Sequence, residues 1–210
     1  MIIGFSAGVT GRDSNVDRMV KAIMDKSGHD SEFVKLTDLT YSGCKGCVQL
    51  CAKPQACKLE DDLFPYYEKI KEADAVVVGS PTYFSSITAS TIAFLERFFG
   101  YGHVTCPIEG KPFVLAVTGA GKFGRVRDQF TERLTHFSTE ILDFVQFGSR
   151  IPPCFKCGCH KLCKIGGLYQ MFGEAALTMK ITPEMFTQWE DNPETVAAVD
   201  AAAEKLKALK

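Results

Sequence analysis

Unbroken apolar runs alternate with helix-period segments along this chain, and that alternation limits the available folds more than any other feature. Met1 to Ser6 reads as a short apolar strand. After it, Val16, Met19, Val20, Ile23 and Met24 recur at the 3.6-residue spacing of an amphipathic helix that ends near Gly28. Phe33 to Leu36 is a second strand, followed by a long cysteine-bearing loop over 37–60 and a helix from Leu63 to Ala73. Ala75 to Gly79 and Phe113 to Val117 have no polar alternation, the mark of strands covered on both faces. Helices are expected from Ile87 to Gly100 and from Gly124 to Thr139, with a fifth strand from Ile141 to Phe147. Parallel strands need crossover connections, so this order predicts an α/β chain with a doubly wound, five-stranded parallel sheet. Residues 1–149 form its main domain. A cysteine-rich insert covers 150–173, where Arg150, Pro152 and Pro153 break the rhythm. Residues 174–210 carry a C-terminal helix from Asn192, whose Val196, Val199, Ala203, Leu206 and Leu209 pack back on the same domain.

Composition narrows the function. The chain has 210 residues, 24 basic against 25 acidic, so no overall basic field is present to hold nucleic acid. No run approaches the roughly 18 apolar residues of a membrane span, and Met1 to Gly11 has no cationic leader. A cytoplasmic protein without a membrane partner is expected. Nine cysteines are present, and eight fall in two tight groups. In a reducing compartment such groups point to metal binding or redox chemistry rather than to disulfides.

Ligands of open α/β sheets bind beyond the carboxyl ends of the strands, which directs attention to three loops. Ser6 to Asn15 combines hydroxyls, glycine backbone and a helix N-terminus, suited to a phosphate; the Walker string Gly-x4-Gly-Lys-Ser/Thr is absent. Gly79-Ser80-Pro81-Thr82-Tyr83-Phe84-Ser85-Ser86 offers a proline and two aromatics, either a ledge for a planar ring or a structural turn. Gly119-Ala120-Gly121-Lys122-Phe123-Gly124 matches Gly-x-Gly-x-x-Gly but follows the fourth strand, the wrong place for a dinucleotide fingerprint, and reads as a close-approach loop.

Together with Arg12-Asp13-Ser14-Asn15, Phe94-Leu95-Glu96-Arg97 and Thr118, these loops resemble the flavodoxin-like NAD(P)H-dependent FMN reductases. Cys44-x2-Cys47-x3-Cys51-x5-Cys57 followed by Asp61-Asp62 is similar to the compact motif of the iron–sulfur flavoprotein branch, which commonly has two residues where this chain has three. The first loop also departs, holding Ala7-Gly8-Val9-Thr10-Gly11 in place of Gly-Ser-Pro-Arg. The resemblance implies a flavodoxin-like fold and FMN, with Ser6, Arg12, Ser14 and Asn15 at the phosphate. Pro81, Thr82, Tyr83 and Phe84 would flank the isoalloxazine, and Thr118, Gly119 and Gly121 its other edge. It also implies a homodimer or higher homo-oligomer.

Four thiols in one short loop suit a cluster or zinc, and a single run of cysteines favours a [4Fe–4S] cluster over zinc or free thiols at Cys44, Cys47, Cys51 and Cys57. The loop has no acid between Asp38 and Glu60 but carries Lys45, Lys53 and Lys58. Cys154, Cys157, Cys159 and Cys163 form a second acid-free, lysine-bearing group. Its one-residue gap is tight for one cubane. A second cluster, zinc, His160 in place of a thiolate, or one unligated cysteine all remain open. Cys106 reads as a small hydrophobe, Trp189 as packing, and His29, His103 and His136 as scattered. The expected function is electron transfer between a reduced donor, NAD(P)H or ferredoxin, and a small-molecule or protein acceptor, with no catalytic side chain required. The alternatives are a plain NAD(P)H:FMN or quinone reductase with structural zinc, and a non-catalytic redox sensor.

Overall fold

The computed structural model describes residues 1–121, 123–149 and 154–209. Five parallel strands form the sheet: β1 (Ile2–Ser6), β2 (Ser31–Lys35), β3 (Ala75–Tyr83), β5 (Pro112–Gly119) and β6 (Glu140–Gly148). Their order, β2-β1-β3-β5-β6, is the flavodoxin-like arrangement, with its switch point between β1 and β3. A two-residue strand, β4 (Ser86–Ile87), pairs only with the far end of β3.

Both faces are covered. On one, α1 (Asn15–Ser27) and α9 (Pro193–Lys207) bury Met19, Val20, Ile23, Val199, Ala202 and Leu206 against Val77, Val114, Ala116 and Val145. Trp189 is buried in this layer, in keeping with a packing role. On the other, α3 (Tyr66–Glu72), α4 (Ala89–Glu96) and α5 (Phe123–Thr135) enclose Phe5, Val78, Phe94, Phe98, Phe113 and Phe130. The apolar runs thus supply β3 and β5, with every residue from Ala75 to Val78 and from Phe113 to Val117 fully buried. Gly28 closes α1 at φ 75°, a left-handed cap that glycine takes without strain.

Several boundaries differ from those expected of the sequence. The strand at Ala75 continues through Tyr83, so the segment expected as a loop is half strand and half hairpin. Ile87 belongs to β4, and the following helix starts at Ala89, where the Thr88 hydroxyl accepts from the Thr91 N–H as its cap. After Glu96 the chain tightens to a 3-10 turn over Arg97–Tyr101. The cysteine loop contains one short helix, α2 (Val48–Ala52). Beyond β6, residues 154–178 are built from α6 (Cys154–Cys157), a 3-10 turn at His160–Leu162, α7 (Gly167–Phe172) and α8 (Ala175–Thr178). The break expected at Arg150, Pro152 and Pro153, and Lys122 of the glycine loop, lie outside the described residues.

Candidate functional site

Strand register brings the three loops together. Ser6 stands beside Gly79 and Pro81 beside Thr118, so all three loops leave the same edge of the sheet. The first is built around a buried acid that no sequence motif singles out. Asp17 Oδ1 accepts from Ser6 Oγ at 2.7 Å, and Oδ2 accepts from the Ser14 N–H at 2.7 Å and from Ser14 Oγ at 2.6 Å. Lys35 Nζ pairs with the same carboxylate at 3.1 Å and also donates to the Arg12 carbonyl. A Cβ on Gly8 would lie 2.2 Å from Asp17 Oδ1, so only glycine lets the loop close over this acid.

The hydroxyl protons of Ser6 and Ser14 are therefore spent on Asp17, and these residues form the floor of the loop. Asn15 is likewise engaged: its Nδ2 donates to the Thr187 carbonyl at 3.1 Å and its Oδ1 accepts from Arg18 at 2.7 Å. Arg12 is exposed, and its guanidinium has no partner among the described residues. Of the four residues assigned to a phosphate by resemblance, Arg12 presents an unengaged guanidinium, and Asn15 keeps the second N–H of its amide.

The second loop is a hairpin held at its base. Gln129 Oε1, from α5, accepts from Ser86 Oγ at 3.1 Å and the Ile87 N–H at 3.0 Å, while Ser80 Oγ accepts from the Thr88 N–H and Thr91 Oγ1. Its turn is Phe84-Ser85, both at positive φ (52° and 58°), the backbone of a two-residue primed turn with neither glycine nor asparagine in it. Phe84 is fully exposed and Tyr83 half exposed, so the aromatics face outward rather than into the core. Pro81 and Thr82 are partly buried at its root, and Thr118 is buried beside them. Gly119 lies so close to Thr82 that a Cβ would sit 1.9 Å from its Oγ1, and Gly121 has φ 102°. The second and third loops therefore approach each other closely at their roots.

The cysteine loop is organised by Arg97, whose side chain is entirely buried. All five of its N–H groups are used by this one loop. Nε donates to Cys57 Sγ at 2.9 Å, and Nη1 to the Ser42 carbonyl at 2.9 Å and Asp61 Oδ2 at 2.6 Å. Nη2 reaches the Leu59 carbonyl and Asp61 Oδ1, each at 3.3 Å. Cys51 Sγ lies 3.0 Å from His103 Nε2, and the Gly46 N–H donates to Cys44 Sγ. Burial, reinforced by the neighbouring sulfurs of Cys47, Cys57 and Cys44, pushes the Cys51 thiol above its ordinary value. The four sulfurs thus share one neighbourhood, with Cys51 and Cys57 buried and Cys44 exposed. Among the described residues, no three metal-binding side chains converge on a single point. His103 and Arg97 hold Cys51 and Cys57 in place.

His103 and Arg97 carry no local signal toward the cysteines, from which they stand 52 and 40 residues away in sequence. Cys106 is half buried, its thiol 3.4 Å from the Phe137 carbonyl, consistent with a packing role. In the second group Cys157 and Cys159 are exposed, and Cys154 and Cys163 are half buried.

The model of the NADPH-dependent FMN reductase family matches residues 1–149. An iron–sulfur flavoprotein of Archaeoglobus fulgidus is 40% identical over 72 residues, 34% of this chain and 35% of that protein. One from Methanocaldococcus jannaschii is 30% identical over 99 residues, 46% of this chain and 50% of that protein. The matches span half or less of these curated relatives. Among solved structures, a flavodoxin of Streptococcus pneumonia superposes with a TM-score of 0.54 at 15% identity, covering 99% of this chain and 97% of that one, a likeness of fold.

Proposed function

The chain belongs to the NADPH-dependent FMN reductase family, and from that membership we propose that it is an FMN-dependent electron-transfer oxidoreductase carrying a [4Fe–4S] cluster at Cys44, Cys47, Cys51 and Cys57. Its electrons pass between a reduced donor, NAD(P)H or ferredoxin, and a small-molecule or protein acceptor. The observation that carries the reading is the placement of a cysteine loop, clamped by a buried arginine, on the same flavodoxin-like frame as the three edge loops. When bound, FMN supplies hydride acceptance and single-electron release, and the cluster supplies a one-electron exit or entry.

The chain's own task is placement. Arg12 and the N-terminus of α1 supply positive potential for the phosphate, while Asp17, neutralised by Lys35, fixes the loop beneath it. Pro81 to Phe84 form one wall of the ring site, and Thr118, Gly119 and Gly121 the other. Arg97 fixes the position of Cys57 through its Nε–H. In this reading the protein is a cytoplasmic homodimer.

Anaerobic purification followed by flavin, iron and sulfide analysis tests this. About four irons and four sulfides per flavin are expected, the content of one cubane, with loss of the iron but retention of the flavin in Cys51→Ser and Cys57→Ser. NAD(P)H should bleach the flavin absorbance. Flavin with zinc and no iron would instead establish the plain reductase, and a protein that takes up no FMN would overturn the whole assignment.

A further inference from the structure

The segment from Cys154 to Thr178, beyond the part of the chain that the family model covers, lacks the core that its fold requires. Its helices span four, six and four residues. Among its described residues only Leu168, Ala176 and His160 are buried, whereas Leu162 and Ile165 are 91% and 86% exposed. Ordering a residue costs roughly 1–2 kcal/mol in backbone entropy, far more in total than two buried apolar side chains return. Small segments of this kind are held by a metal or a disulfide.

The donors for a metal are in place. Cys154, Cys157, His160 and Cys163 follow one another at a uniform two-residue gap, Cys-x2-Cys-x2-His-x2-Cys, once Cys159 is set aside. His160 is about nine-tenths buried, and its Nε2 lies 2.8 Å from the Met179 carbonyl. A carbonyl only accepts, so Nε2 is the donor, which in the neutral ring leaves Nδ1 as the lone pair. Among the described residues that Nδ1 has no hydrogen-bond partner. A histidine oriented by a backbone carbonyl through one nitrogen, with the other free, has the supporting arrangement found around metal ligands. At the far end, the sulfurs of Cys154 and Cys163 both lie 3.0 Å from the place a Cβ on Gly166 would take, and the Gly166 N–H donates to Cys163 Sγ at 3.2 Å. Glycine leaves open the notch that the two sulfurs border. Cys159 is exposed and falls outside the uniform two-residue spacing.

We propose that Cys154, Cys157, His160 Nδ1 and Cys163 form a structural zinc site that folds residues 154–178, independent of the flavin and of the first cysteine loop. Three thiolates and one imidazole are a common tetrahedral zinc set, and the segment that carries them has no acid between Cys154 and Cys163. No three of these donors converge among the described residues. Among the described residues, however, none of these sulfurs is held by a side chain of the main domain as Cys51 and Cys57 are, so the segment can close as the ion binds.

The test is zinc and iron analysis of the full chain, purified anaerobically, alongside Cys154→Ser, Cys163→Ser, His160→Gln and Cys159→Ser. About one zinc per chain is expected, the content of a single tetrahedral site. Cys154→Ser and Cys163→Ser should lose it. His160→Gln should release zinc to a chromophoric chelator about tenfold more readily or worse, and Cys159→Ser should match the parent. Flavin content and circular dichroism report that each variant still folds, and trypsin should cut after Lys156, Lys161 or Lys164 once zinc is removed. Absence of zinc, extra iron in its place, or zinc that survives Cys154→Ser and Cys163→Ser would overturn the site. Loss in Cys159→Ser with retention in His160→Gln would overturn its ligand assignment. None of these results bears on the first loop, whose iron is read separately through Cys51→Ser.

Discussion

Arg97 is the residue on which the cysteine loop depends. A guanidinium presents five donors in a fixed plane, and here each has an acceptor between Ser42 and Asp61. Burial acts to lower its basicity, but the Asp61 carboxylate and the Cys57 sulfur more than offset this, so the net shift is upward and the charge is permanent. Removing one partner of a buried pair leaves the other uncompensated, at a cost of about 3–5 kcal/mol. Arg97→Gln should therefore lower the urea midpoint and empty the first loop of iron. Arg97→Lys should rescue little, because an ammonium has three donors and no fork to reach Cys57 and Asp61 together. Unfolding curves and iron content measured on both variants check this; if both match the parent, the clamp is decorative.

Two elements carry strain or charge that can be tested separately. The hairpin joining β3 and β4 turns through Phe84 and Ser85 at positive φ, where a residue other than glycine loses roughly 1–2 kcal/mol. Replacing the pair with Asn-Gly should raise the melting temperature, since that sequence suits a primed turn. It should also weaken FMN binding, read by flavin fluorescence, because strain retained at an exposed aromatic marks a functional wall. The start of α1 is tied to the segment before α9 by Arg18, whose Nε lies 2.5 Å from Glu190 Oε1. Burial tends to raise the Glu190 carboxyl, and the Arg18 bond more than reverses it, so its folded value lies below the ordinary 4.5. A carboxylate depressed in this way adds stability above its unfolded value, and that stability is lost as pH falls through the folded one. The pair is over a third exposed on the Glu190 side, which limits its contribution to about 1 kcal/mol or less. Glu190→Gln should lower stability at neutral pH by about 1 kcal/mol or less and converge with the parent as pH falls below about 4.5, as denaturant titrations across that range would show.

At the scale of the whole molecule, legibility in the sequence tracks the range of the interactions. Ala75 to Val78 and Phe113 to Val117 announce buried parallel strands because their pattern is local, and they in turn set the layers and the sheet edge that holds the loops. The links of Arg97 to Cys57 and His103 to Cys51 form only when the chain folds back on itself, and no spacing rule reaches them. Asp17 is equally hidden, since an acid at the start of a helix looks like a surface cap until Lys35 and Ser6 are seen around it. Family and fold also have different boundaries. The family model ends at residue 149, yet one face of the sheet is closed by residues C-terminal to that point. Trp189, Val199, Ala202 and Leu206 cover Val114, Ala116 and Val145, and Thr195 and His29 add bonds across the same seam. Each large apolar side chain buried there contributes about 1.5–3 kcal/mol, and a domain's net stability is only about 5–15 kcal/mol. A chain cut after Ser149 should therefore fail to fold although it contains every residue matched to the family. Deleting only 154–178 behind a flexible linker should leave the flavin site intact. Circular dichroism and flavin uptake on the two truncations decide the matter: a folded, FMN-binding 1–149 fragment would show that α9 is dispensable and that the sheet closes without it.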